Sequence, residues 1–153
     1  MATITIIIPG KPIAKKRPRF ARRGKFVTTY NDQQTEEGKF IVLAREQFKE
    51  QYPYLFEGAL SLECLFFFEL PASAKKYQKE EVNSGNELVH VKKPDLDNLV
   101  KFVKDCLNGQ AWKDDSQVCL LEASKQYGIE AQTVITIKEL DDNFGARSRM
   151  YIP

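Results

Sequence analysis

The chain opens on a β-branched run, Thr3 to Ile8, closed by Pro9-Gly10, a pattern that predicts a buried strand and a turn. Lys25 to Tyr30 predicts a short strand, followed by a helix cap at Asn31-Asp32. From Thr35 to about Gln51, Phe40, Ile41, Leu43, Ala44 and Phe48 recur at helical spacing between charged positions, and Pro53 ends that helix. Leu and Phe dominate Ala59 to Leu70, which predicts a central strand stopped by Pro71. The charged stretch Ser73 to Glu87 holds a short helix at Lys75–Val82 and a loop at Asn83-Ser84-Gly85-Asn86. A second main helix spans Leu96 to Leu107 and stops at Asn108-Gly109. Gln117 to Tyr127 and Ala131 to Leu140 predict two strands joined around Gly128 as a hairpin. There is no repeat or linker. The expected architecture is one α/β domain over residues 1–140, a single mixed sheet with helices packed on it, and a loose tail over 141–153.

Composition narrows the class. With 153 residues, 42% apolar and 29% charged, the chain has the size and balance of one soluble globular domain. Cys64, Cys106 and Cys119 are odd in number, far apart and without a Cys-x-x-Cys pair, so they predict reduced, buried thiols and neither a disulfide frame nor a zinc site. The start, Met1-Ala2-Thr3-Ile4, lacks the features of a secretory signal, and no apolar run is long enough to cross a bilayer. A cytoplasmic protein without a membrane partner is expected.

Charge changes the picture more. Lys11, Lys15, Lys16, Arg17, Arg19, Arg22, Arg23 and Lys25 form an arm of eight bases with no acid among them. The remaining 15 bases face all 21 acids, a balance of −6. Positive charge is therefore local, which predicts that this arm meets a polyanion such as DNA.

The acids suggest chemistry. Asp95 and Asp97 stand two apart just before an apolar helical pattern. In an extended entry to the helix, favoured by Pro94, both carboxylates can converge at its N-terminal end. A helix over Leu96–Leu107 is about 18 Å long at roughly 1.5 Å per residue. The chain from Leu107 to Asp115 can cover about 26 Å at roughly 3.3 Å per residue. Asp115 can therefore return beside the helix start, with Asp114 as a further candidate. Three carboxylates suit magnesium, which takes a few of them with water and phosphate completing its shell. Metal ions would also reconcile an acidic cluster with a basic arm, by bridging the acids to phosphate. Lys101 and Asp105 follow Asp97 at spacings of four, on one helix face, where Lys101 can reach the scissile phosphate.

Each feature taken alone has a plainer reading. Asp95 or Asp97 serves as an N-cap. Asp97 and Lys101 form a helix ion pair. Asp114-Asp115 makes a turn, and the basic arm is a solvated face. His90, between Val89 and Val91, reads as structural and not as a general base. Phe20, Phe26, Tyr30 and Trp112 read as packing aromatics, with stacking on unpaired bases as the alternative.

The block Lys93-Pro94-Asp95-Leu96-Asp97-Asn98-Leu99-Val100-Lys101, then Asp105, Leu107-Asn108-Gly109 and Trp112-Lys113-Asp114-Asp115-Ser116-Gln117-Val118, resembles the RusA-type Holliday junction resolvases of bacteria and their phages. The opening strand with Pro9-Gly10-Lys11-Pro12 and Lys15-Lys16-Arg17-Pro18-Arg19 is similar to that family's N-terminal segment, so the resemblance covers about residues 3 to 140. It implies a homodimer that binds four-way DNA junctions and makes paired symmetric nicks with magnesium or manganese. It further implies that Asp95, Asp97 and Asp115 are the catalytic carboxylates, Lys101 the essential lysine and Asp114 a supporting position. Two other readings stay open: a DNA-binding protein without catalysis, and a metal-dependent nuclease for other branched DNA.

Overall fold

The computed structural model describes residues 2–17, 19–30 and 33–141. The expected cap at Asn31-Asp32 and all but the first residue of the expected tail lie outside the described residues. In chain order the elements are β1 (Thr3–Pro9), β2 (Arg19–Arg23), β3 (Phe26–Tyr30), α1 (Gln34–Gln51), β4 (Leu60–Phe68), α2 (Lys76–Asn83), α3 (Leu96–Leu107), β5 (Val118–Tyr127) and β6 (Gln132–Glu139). This is an α/β domain: a mixed four-stranded sheet with the order β1-β6-β4-β5, helices packed on it, and a separate β2–β3 ribbon.

The apolar strand β4 takes a central place, parallel to β5 and antiparallel to β6. Parallel neighbours need a long crossover, and here it runs through α2 and α3. Along β4 burial alternates, with Leu60, Leu62, Cys64, Phe66 and Phe68 inside. They meet Ile4, Ile6 and Ile8 of β1, Ile135 and Ile137 of β6, and the apolar stripes of α1 and α3 in one core. Phe40 of α1 meets Phe102 of α3 edge to face at 5.3 Å, which locks the helices together above the sheet. The α3 stripe of Leu99, Phe102, Val103, Cys106 and Leu107 is almost wholly buried. Each such large side chain stabilises the fold by about 1.5–3 kcal/mol, which anchors the helix carrying Asp97 and Lys101.

Two expectations need correction. First, β5 and β6 are not a hairpin, because β4 lies between them. Their connection passes over the end of β4, where the Gly128 amide donates to the Phe68 carbonyl at 2.9 Å. A Cβ on Gly128 would stand 3.0 Å from Phe67 Cδ1, so the glycine permits this close crossing. Second, β1 is an edge strand buried on one face only, with Ile7 pointing outward. Its open edge is closed by side chains of α1: Gln47 Oε1 and Nε2 bond Ile7 N and O at 2.8 and 2.7 Å, and Gln51 does the same for Thr5 at 3.1 and 2.8 Å. Glutamine offers one acceptor and two donors, so at helical spacing it imitates a neighbouring strand.

The cysteines follow expectation in part. Cys64 and Cys106 are free and buried, and burial pushes both thiols up to about 12. Cys119, on the outermost strand, is exposed, contrary to the reading of three buried thiols. No helix among the described residues is long and apolar enough to cross a membrane.

Candidate functional site

Helix α3 begins where expected. Asp95 is extended (φ −71°, ψ 143°) and stands at the N-cap position, yet its side chain makes no capping bond. Its carboxylate is left exposed beside the positive end of the helix. Asp97 lies within the first turn, with Oδ1 3.0 Å from the Asn98 amide. The segment before the helix is tied down by Lys125 of β5, whose Nζ donates to the carbonyls of Lys92 at 2.7 Å and Pro94 at 2.8 Å.

The return to Asp115 is built by backbone geometry. Gly109 has φ +78°, a left-handed conformation that ends α3 without strain. The chain then runs beside Phe56, whose amide donates to Ala111 O at 2.9 Å and whose carbonyl accepts from Lys113 N at 3.3 Å. Trp112 is fully buried there, and its indole Nε1 donates to Asp115 Oδ1 at 2.8 Å. Asp114 caps the following 3-10 turn, its Oδ2 accepting from the Ser116 amide at 3.0 Å, and hydrogen bonds from the Ser116 side chain first and then its amide hold the carboxyl below the usual range.

As a result Asp97, Lys101, Lys104, Asp105 and Asp115 line one cleft of about 740 Å³, with Leu96, Val100, Leu121 and Ala123 as its apolar wall. Asp95 and Asp114 are not among its lining residues. Of the plainer readings, the turn at Asp114-Asp115 is present, with Asp114 as its cap and Asp115 as its first residue, while the Asp115 side chain bonds the Trp112 indole. No ion pair joins Asp97 to Lys101 among the described residues. Nor does any group of three or more His, Cys, Asp or Glu side chains there stand close enough to hold a metal ion. The donor set is nonetheless chemically apt, since carboxylate oxygens are the hard ligands magnesium takes. Among the described residues, Asp97 and Asp115 each keep one oxygen without a hydrogen bond, and Asp95 keeps both.

The basic arm is divided by the fold. The Lys15 amide donates to Asn98 O at 2.9 Å, Lys16 N donates to Gln33 Oε1 at 2.7 Å, and Gln33 Nε2 donates to Ala14 O at 2.8 Å. This clamps the arm's start against α3, one residue from Asp97. The Lys15 ammonium meets Glu37 at 2.9 Å and Asp105 at 3.4 Å, and the Glu37 bond above all raises its pKa despite partial burial. Lys16 reaches Glu36 at 3.5 Å. Arg17 and Arg22 are exposed, Lys11 lies by the Pro9-Gly10 turn, and the side chains of Arg19 and Arg23, on β2, lie outside the described residues, as do those of Phe20 and Tyr30. Phe26 is 77% exposed, and Trp112, fully buried, is no stacking platform.

Sequence reasoning missed the support given by Trp112 and Lys125. The visible signals were an indole three residues before Asp115 and a lysine on the inward face of β5, two residues after Ala123.

The sequence model of the family described as "Endodeoxyribonuclease RusA" matches residues 9–138. The chain is also 31% identical over 142 residues to a Bacillus subtilis (strain 168) protein described as "Uncharacterized protein YqaN", a match covering 92% of this chain and 99% of that protein. A match that runs from the end of β1 into β6, and so takes in α3 and the whole cleft, places the chain in the RusA endodeoxyribonuclease family.

Proposed function

We propose that this protein is a magnesium-dependent endodeoxyribonuclease that resolves four-way DNA junctions by paired nicks. The observation that carries the reading is that Asp97, Lys101 and Asp115, drawn from two separate segments, line one cleft. Asp97 and Asp115 would hold the metal, with Asp95 completing the set from the helix entry; manganese suits the same oxygens. A bound metal would supply Lewis-acid assistance to the attack of water on phosphorus. The Lys101 ammonium, on the same helix face as Asp97, offsets charge that develops on the scissile phosphate. Arg17, Arg22 and Lys11, with Lys16, Arg19 and Arg23, would grip the DNA backbone. A homodimer is part of the reading, because two sites related by a dyad deliver two opposed cuts.

The test is nicking of a synthetic four-way junction beside a linear duplex, with magnesium, manganese or EDTA. Paired nicks in the junction that require metal support the proposal. Binding without cutting in either metal would support a DNA-binding protein instead, and cutting confined to flaps or other branches would support the wider nuclease class.

A further inference from the structure

A second cleft, of about 820 Å³, lies where the Pro9-Gly10 turn, the end of β4 and the segment before α3 come together. Lys11, Lys92 and Lys93 line it, and none of the three makes a side-chain hydrogen bond or ion pair among the described residues. Glu69 and Glu130 share the lining, so the bases outnumber the acids. His90 forms part of the wall, 8% exposed, stacked on Phe68 at 4.2 Å and tilted against Tyr127 at 4.9 Å. Its Nδ1 is buried without a hydrogen-bond partner. Burial first, then the charges of Lys125, Lys92 and Lys11, lower its pKa, so the ring adds no charge of its own at neutral pH. The cleft thus carries one lysine charge in excess of its glutamates, over an aromatic wall.

Its position gives that charge a direction. Lys92 and Lys93 line this cleft, whereas Leu96 and Asp97, a few residues on, line the candidate metal cleft. From Lys93 to Asp97 the chain spans at most about 13 Å at roughly 3.3 Å per residue. That is about four nucleotides at ~3.4 Å rise along one strand. The charged donors here are lysine ammonium groups on long aliphatic stems, which suit a passing polymer backbone better than a fixed free phosphate.

We propose that this cleft binds a backbone phosphate of the DNA strand running from the metal site, with Lys11 and Lys92 as its partners. The strand's direction rests on the nuclease reading; the cleft and its charge do not.

The experiment measures binding of the full chain to a labelled synthetic four-way junction in EDTA, across a range of salt concentrations. Lys11→Ala with Lys92→Ala lowers the slope of log affinity against log salt by about 0.7–0.9, the value for one phosphate, while the fluorescence of buried Trp112 stays unchanged. Junctions carrying one neutral methylphosphonate linkage, moved stepwise around the branch point, then locate the contact. One linkage reproduces the loss in the wild-type protein and causes no further loss in the double variant. An unchanged slope, or losses that add at every linkage, overturns the proposal. If the wild-type protein binds and the variant matches it, only the cleft fails; if the wild-type protein does not bind the junction, the nuclease reading falls with it.

Discussion

Trp112 Nε1 donates to Asp115 Oδ1 at 2.8 Å, so a fully buried core side chain sets the direction of a carboxylate that reaches the candidate metal cleft. Asp115 Oδ2 makes no hydrogen bond among the described residues, and on the proposed reading it is the oxygen that would face a cation. Residues that orient metal ligands this way typically change metal affinity by about 10–100-fold when removed. Trp112→Phe keeps an aromatic ring in the core and removes only the donor and some ring volume. The expected outcome is a rise of about tenfold or more in the magnesium needed for half-maximal nicking, with junction affinity in EDTA unchanged. A purely structural indole would instead lower the melting temperature and leave the magnesium requirement where it was.

Lys125 acts on the other carboxylates through the backbone. Its Nζ holds the carbonyls of Lys92 and Pro94, and Asp95 is the next residue. Hydrogen bonds from a charged donor contribute about 1.5–3 kcal/mol each, so Lys125→Met releases the helix entry. The magnesium requirement should rise, and Lys125→Arg, which can still donate to both carbonyls, should restore much of it. If methionine and arginine gave the same magnesium curve as wild type, the lysine would have no part in positioning the carboxylates.

Where the sequence could be read, local physics governed the outcome. The bounds of α3, Leu96 to Leu107, follow from its apolar stripe and Gly109, and the structure has the same bounds. The central place of β4 follows from its richness in Leu and Phe. The hairpin failed because strand order depends on which neighbour buries more surface, and β4 outcompetes a local partner for both β5 and β6. Gly128 was visible as a turn, but a hairpin turn and a crossing over a strand end use the same residue. Within the arm, eight bases spread over Lys11 to Lys25 look alike in the sequence, whereas the fold pairs Lys15 with Glu37 and Asp105, which are distant in sequence.

On the proposed reading, Lys101 should separate catalysis from binding. Lys101 and Asp97 line the same cleft without an ion pair between them. Lys101→Ala should reduce nicking by about 10²–10³-fold, the usual effect of removing one group that stabilises developing charge, with a modest loss of junction affinity. Asp97→Asn should also abolish nicking but leave junction affinity equal or higher, since a negative charge facing phosphate is gone. Affinity by anisotropy and single-turnover nicking rates distinguish the two. If Asp97→Asn weakened binding and unfolded the protein, its role would be structural.

Lys15 and Arg17 are two residues apart in one basic run, yet they should respond differently. The Lys15 ammonium is partly buried and committed to Glu37 and Asp105, whereas Arg17 is exposed and makes no ion pair among the described residues. Lys15→Met therefore destabilises the fold by about 1–2 kcal/mol, between an exposed pair and a buried charged hydrogen bond. It should leave the salt slope of junction binding unchanged. Arg17→Ala with Arg22→Ala should do the reverse, lowering the slope with little effect on melting. The pH dependence fixes the sign independently. The Lys15 pKa is raised above its ordinary 10.5, mainly by the Glu37 bond, so the folded state holds its proton more tightly than the unfolded chain. The stabilisation is complete below the unfolded value and disappears as pH rises through the raised folded value. Urea midpoints for wild type and Lys15→Met should differ most at neutral pH and converge above pH 10.5. A constant gap across that range would mean that the lysine acts through packing of its methylene chain, and not through its charge.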